Sequence, residues 1–197
     1  VSCFVDAESG APRIVSASHD NTVRLWDPSS GKQVAVLEGH TNWVNGVSCF
    51  VDAESGAPRI VSASSDKTVR VWDPSSSGKQ LAVLEGHTGP VYCVSCFVDA
   101  ESGAPRIVSA SIDKTVRVWD PSSGKQLAVL KGHMDSVLGV SCFVDAKSGA
   151  PRIVSASSDK TVRVWDPSSS DKELAVLKGH TDWVYGVSCF LDAGAPR

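Results

Sequence analysis

The phrase Val-Ser-Cys-Phe opens at Val1, Val47, Val94 and Val140, and returns at Val187, so the chain repeats itself at intervals of 46, 47, 46 and 47 residues. No other feature constrains the fold as strongly. A unit recurring at this period is one supersecondary element, and it must stack on its copies to bury its apolar faces. The alternation of the interval has a visible source. Pro74-Ser75-Ser76-Ser77 and Pro167-Ser168-Ser169-Ser170 carry one more serine than Pro28-Ser29-Ser30 and Pro121-Ser122-Ser123. One residue added to a loop between fixed elements costs little. The copies are close to identical: residues 47–73 and 140–166 differ only in Glu54 against Lys147.

Each repeat contains four short runs that read as strands. In the second repeat they are 44–51, 59–64, 68–72 and 80–84, rich in Val, Ile, Leu, Trp and Thr. The breaks carry turn chemistry. Gly56 and Pro58 lie in the first, Ser65-Asp66-Lys67 makes the second, and Asp73-Pro74 followed by Ser and Gly78 makes the third. No stretch keeps a 3.6-residue apolar period long enough for a helix. Each unit is therefore expected to be a four-stranded antiparallel meander with apolar residues on both faces.

These features resemble the WD40 repeat family. The Trp-Asp pairs are Trp26-Asp27, Trp72-Asp73, Trp119-Asp120 and Trp165-Asp166, and the Gly-His pairs are Gly39-His40, Gly86-His87, Gly132-His133 and Gly179-His180. The resemblance covers the whole chain, although the loop after the first strand is longer than usual and cysteine replaces the usual first-strand aromatic. It implies an all-β fold: a β-propeller of four-stranded antiparallel blades, with four full blades plus an extra first strand at 184–192. Residues 1–197 form one propeller segment with blades at about 1–43, 44–90, 91–136 and 137–183, and a partial fifth at 184–197. A ring of four would crowd its inner strands, and an open arc exposes blade faces and strand edges. Two arrangements resolve this: a longer array, or two chains pairing into an eight-bladed ring.

Every full repeat supplies a Ser, a His and an Asp, which invites a hydrolase reading. The resemblance implies instead a buried hydrogen-bonded tetrad. Its members are His40, Ser62, Asp66 and Trp72; His87, Ser109, Asp113 and Trp119; and His133, Ser155, Asp159 and Trp165. Ser16, Asp20 and Trp26 lack a preceding His, and His180 has no following set. A buried Asp needs partners, and an indole N–H only donates, so such residues close a chain of bonds. An enzyme needs one nucleophile, not one per blade, and no G-x-S-x-G elbow occurs. No catalytic residue is expected.

In so uniform an array the positions that vary are informative. Variation concentrates after each Gly-His: Thr41-Asn42-Trp43-Val44-Asn45, Thr88-Gly89-Pro90-Val91-Tyr92, Met134-Asp135-Ser136-Val137-Leu138 and Thr181-Asp182-Trp183-Val184-Tyr185. A second site precedes the tetrad Asp: His19, Ser65, Ile112 and Ser158. In a WD40-like propeller both sites lie on one face, so the resemblance implies partner binding there by Trp43, Asn45, Ser65, Pro90, Tyr92, Ile112, Ser136, Leu138, Ser158, Trp183, Tyr185 and His19. Large amphipathic side chains such as these are enriched at binding hot spots. A competing use of the tryptophans is to fill gaps between blades.

Bulk properties narrow the function. No run approaches the roughly 18–20 apolar residues that span a bilayer, so no membrane association is expected. A formal charge of −3 provides no global pull toward nucleic acid. Five of the six cysteines recur once per repeat in Val-Ser-Cys-Phe. They read as buried, reduced thiols rather than disulfide or zinc ligands. With no signal peptide visible, that favours an intracellular, cytoplasmic setting. No nucleotide or calcium motif appears, and neither cofactor nor metal is expected. The leading expectation is a non-catalytic scaffold for a protein or peptide, with self-association able to complete the ring. The alternative is a recognition array for a carbohydrate or other non-self ligand, attached to a signalling domain.

Overall fold

The computed structural model describes residues 1–6, 9–75, 78–168 and 173–189. These contain sixteen strands in four sheets and no helix. Blade 1 holds β1 (Ser2–Val5), β2 (Pro12–Ala17), β3 (Val23–Trp26) and β4 (Gln33–Leu37). Blade 2 holds β5 (Val44–Val51), β6 (Pro58–Ser64), β7 (Val69–Asp73) and β8 (Lys79–Leu84). Blade 3 holds β9 (Val91–Val98), β10 (Pro105–Ser111), β11 (Thr115–Trp119) and β12 (Gln126–Lys131). Blade 4 holds β13 (Val137–Val144), β14 (Pro151–Ser157), β15 (Val162–Trp165) and β16 (Glu173–Leu177). Within each blade neighbours in sequence are neighbours in the sheet, and every pairing is antiparallel.

The core lies between blades, because alternation sends successive side chains to opposite faces of a strand. In blade 2 the face turned toward blade 1 carries Ile60, Ser62 and Trp72, whereas Val61, Ala63, Val69, Val71 and Leu84 face blade 3. The first junction packs Val15, Val23, Leu25 and Leu37 against Val44, Val47, Ile60 and Trp72. The second packs Val61, Val69, Val71 and Leu84 against Val91, Val94, Ile107 and Trp119. The third repeats the pattern with Val108, Val116, Val118 and Leu130 against Val137, Val140, Ile153 and Trp165. Each fully buried Leu, Ile or Val contributes about 1.5–3 kcal/mol relative to exposure.

The glycine of three Gly-His pairs, Gly39, Gly86 and Gly132, marks a close approach. A Cβ on Gly86, whose φ is +152°, would stand 2.7 Å from Arg117 Nη1 and 3.2 Å from the Trp119 ring. The chain thus crosses the edge of the next blade's tryptophan with no room for a side chain.

Two expectations need correction. Residues 184–189 do not form the extra first strand, and 190–192 lie outside the described residues. A first strand takes its ladder bonds from the second strand of its own blade, and no such strand adjoins 184–189 among the described residues. Val184 is nevertheless buried, and its N–H donates to Ser157 O at 3.1 Å, as Val44 N–H does to Ser18 O at 3.1 Å. Second, the thiols are not uniformly buried. Cys3 is exposed because no blade covers its side of blade 1, while the other five are half-buried. All six are free.

Candidate binding face and the hydrogen-bond sets beneath it

Each interior blade junction carries one polar chain. In blade 2, Trp72 Nε1 donates to Ser62 Oγ at 2.8 Å, and Ser62 Oγ lies 2.7 Å from His40 Nε2. His40 Nδ1 lies 2.7 Å from Asp66 Oδ2, and the Thr68 hydroxyl donates to Asp66 Oδ1 at 2.7 Å. The proton positions follow from the chemistry. The indole only donates and an ionised carboxylate only accepts, so Nδ1 carries the imidazole proton and Nε2 accepts from the serine hydroxyl. Trp119, Ser109, His87 and Asp113 repeat the chain at 2.8, 2.8 and 2.7 Å, and Trp165, Ser155, His133 and Asp159 at 2.8, 2.7 and 2.7 Å.

The electrostatics agree with neutral imidazole beside ionised carboxylate. Burial works to raise the carboxyls of Asp66 and Asp113. Hydrogen bonds from His40 and Thr68, and from His87 and Thr115, outweigh it and hold both well below the usual carboxylate range. Burial depresses His87 and His133 despite the carboxylate beside each. The serine hydroxyls of these three sets belong to fully buried residues. Each is committed at both ends, so no substrate reaches the one nucleophile in the set.

Above these sets lies the face where the repeats differ, and β-bulges set it out. In β5, Val44 pairs with Ser64 and Gly46 with Ala63, which leaves Asn45 unpaired in the ladder. Tyr92 in β9 and Leu138 in β13 are skipped in the same way. A bulge re-aims the extra residue, so the variable position is the one that leaves the sheet pattern. Asn45, Tyr92, Leu138 and Tyr185 line one cavity of about 290 Å³. They share it with Val1, with Gly46 of β5 and Gly139 of β13, and with Gly186.

Backbone bonds join the two variable sites within each blade. Ser65 N–H donates to Trp43 O at 2.8 Å, Ile112 N–H to Pro90 O at 3.0 Å, and Ser158 N–H to Ser136 O at 2.9 Å. Between blades, His19 stacks on Trp43 with ring centroids 4.3 Å apart and planes 9° from parallel. Trp183 and Tyr185 meet at 6.1 Å and 56°. Trp43, Trp183 and Tyr185 are 52%, 54% and 70% exposed, and Tyr92, Ile112 and His19 are exposed as well.

The polar residues on the same face are engaged within the chain. Asn45 Nδ2 donates to Ser65 Oγ at 2.9 Å and to Val91 O at 2.8 Å, across the blade junction. Ser158 is buried, and Ser136, Pro90 and Leu138 are half-buried. Met134 stands on this face and is 75% exposed. It is the one methionine in the chain and takes the place of Thr41, Thr88 and Thr181, a signal sufficient to include it with the aromatics. Lys114 Nζ donates to Met134 O at 3.0 Å and Lys160 Nζ to Thr181 O at 2.8 Å, tying each turn to the following blade's loop.

Stacked four-stranded meanders with a histidine-centred bond set at each junction define a β-propeller of repeat type. The model of the WD domain, G-beta repeat matches residues 3–27, 31–73, 78–120 and 124–166, which is most of the chain, and the protein belongs to the WD40 repeat family. The matched unit runs from the fourth strand of one blade through the third strand of the next, so it straddles two sheets. Among curated proteins, the chain is similar to the Lissencephaly-1 homolog of Branchiostoma floridae, 47% identical over 36 residues. That stretch covers 18% of this chain and 9% of the relative.

Proposed function

We propose that this chain is a non-catalytic scaffold that binds a protein or peptide across the face bearing Trp43, Tyr92, Ile112, Met134, Trp183 and Tyr185. One observation carries the reading: in repeats otherwise almost identical, the positions that differ include a set of exposed aromatic and apolar residues, gathered at the two loop sites that backbone bonds join in blades 2 to 4. Half-exposed tryptophan and tyrosine supply large contact area at low entropic cost. The buried serines of the tetrads argue for support rather than catalysis. The half-buried and free thiols suit a reducing, intracellular setting.

The test is capture of ligands from a peptide array and a glycan array by the immobilised chain. The double variant Trp43→Ala, Trp183→Ala loses peptide capture and keeps the wild-type unfolding midpoint. Unchanged capture removes the face assignment. Capture of glycans in place of peptides supports the recognition-array alternative, which the exposed indole faces would also serve.

A second element of the proposal is self-association. The outward face of blade 4 and the opposite face of blade 1 are the two surfaces that meet at every interior junction. Two copies joined through them make a ring of eight blades.

A further inference from the structure

Three departures from the repeat coincide at the junction of blades 3 and 4. Ile112 stands where the other blades have His19, Ser65 and Ser158. Met134 stands where the other loops have Thr41, Thr88 and Thr181. Lys131, like Lys178 after it, replaces the Glu38 and Glu85 of the earlier repeats. The β10–β11 turn and the loop into β13 bring these residues to one place: Lys114, two residues beyond Ile112, donates from Nζ to Met134 O at 3.0 Å. Both apolar side chains face solvent. Ile112 is also braced, because the backbone of Gly89 lies where an added Cβ would be 3.5 Å from Ile112 Cβ. The first two junctions carry His19 with Thr41 and Ser65 with Thr88 at the same positions, polar in both members.

The exposed charges around these junctions change together with the apolar residues. At the first junction Glu38 stands alone, since Asp20 pairs with Arg24 at 3.2 Å and Asn21 takes the place of a lysine. At the second, Lys67 balances Glu85. At the third, Lys114 and Lys131 outweigh Asp135, whose Oδ1 accepts the Ser136 N–H at 2.7 Å. An ammonium has three donors, so Lys114 keeps two after its bond to Met134 O. Lys131 makes no ion pair among the described residues. The carboxylates of Asp113 and Asp159 are offset by Arg117 at 3.8 Å and Arg163 at 4.0 Å.

We infer that the junction of blades 3 and 4 is the anchoring subsite of the variable face, and that it takes an apolar side chain flanked by carboxylates, so that the partner is an acidic segment of peptide. The inference rests on the peptide-binding reading above and names the chemistry of its ligand. Methionine adapts its shape to a partner, and the braced isoleucine loses little freedom on contact. Burying both against a leucine, isoleucine or phenylalanine side chain removes apolar surface from water. Lys114 and Lys131 attract the carboxylates on either side of that residue. Glu38, two junctions away, repels the same carboxylates, so the gradient of charge selects the direction in which the segment lies.

Capture from an array of random-sequence peptides by the immobilised chain provides the test. Captured peptides are expected to hold a large apolar residue with Asp or Glu beside it, and the selection for acid is lost in about 0.5 M salt. Ile112→Ser with Met134→Thr raises the Kd for such a peptide about tenfold. Lys131→Glu weakens binding of acidic peptides severalfold and leaves neutral apolar ones unchanged. Each variant installs a residue that another repeat carries at the same position, so the unfolding midpoint stays at the wild-type value. Selection of basic or uncharged peptides in place of acidic ones overturns the inference, and so does equal capture of polyglutamate, which has no apolar residue. If Trp43→Ala with Trp183→Ala abolishes capture while Ile112→Ser with Met134→Thr leaves the Kd unchanged, the anchor is overturned and the peptide-binding face stands. A wild-type chain that captures no peptide overturns both.

Discussion

Asp66 illustrates how much one residue holds. Its carboxylate gathers His40 Nδ1, the Thr68 hydroxyl and N–H, and the Thr41 N–H at 3.1 Å. Asp66→Ala therefore strands several donors, the buried His40 among them, and is expected to lower stability by about 1–3 kcal/mol, read from the urea midpoint. The same sets make stability depend on pH in two windows. His87 and His133 hold a proton less readily when folded than at the ordinary value of about 6.5. Below that pH the unfolded chain binds more protons, so stability falls as pH drops. Asp66, Asp113 and Asp159 have folded carboxyls below the ordinary value of about 3.9. Their contribution is complete above that value and is lost as pH falls further. A urea midpoint that stays level from about pH 7 to pH 5 would contradict the first window. A third residue-scale expectation concerns Lys67, which sits at φ 73°. Lys67→Gly relieves left-handed strain and stabilises by about 0.5–1 kcal/mol in a thermal melt. Lys114 and Lys160 share that backbone conformation, but each also ties down a neighbouring carbonyl.

At the scale of the strand, position in the array decides what an identical residue is worth. Leu84→Ala removes a side chain buried at the second junction and is expected to cost about 2–5 kcal/mol. Leu177→Ala, the same residue of the repeat on an uncovered face, is expected to leave the dilute monomer's unfolding midpoint nearly unchanged. Gly86→Ala is expected to cost more than its mere size suggests, because Arg117 and Trp119 stand where the methyl would go. The strands were legible in the sequence to within one residue at their ends, since alternation and turn residues are local signals. The bulges were not. Skipping Asn45 in the β5–β6 ladder is a matter of register between two strands, and neither strand alone encodes it. The missing pairing of 184–189 was hidden for the same reason: the run of residues suits a strand, but a strand needs an edge to join.

For the molecule as a whole, the sets of Ser, His, Asp and Trp were legible because the family resemblance and the repetition pointed to the same positions. The face proposed for binding was legible only in part. Variation identified its aromatics, but it placed Asn45, Ser65, Ser136 and Ser158 beside them, and the packing engages these within the fold. Variation between repeats records that a position is tolerant of change, and burial decides whether a partner can reach it. The thiols follow burial in the same manner. Burial pushes Cys96 and Cys142 up to about 12, so they resist alkylation in the folded chain, and Cys3 reacts first. Mass spectrometry of partially labelled protein checks that order. The offset between the matched repeat and the sheet has a further consequence for inheritance. A recombination event that copies or deletes one unit cuts between the third and fourth strands of a sheet, and the identical neighbouring unit supplies the missing strand at once. Units joined or removed at that boundary keep the interior junctions in register, because one unit, such as residues 31–73, carries the His, Ser, Asp and Trp of a whole set.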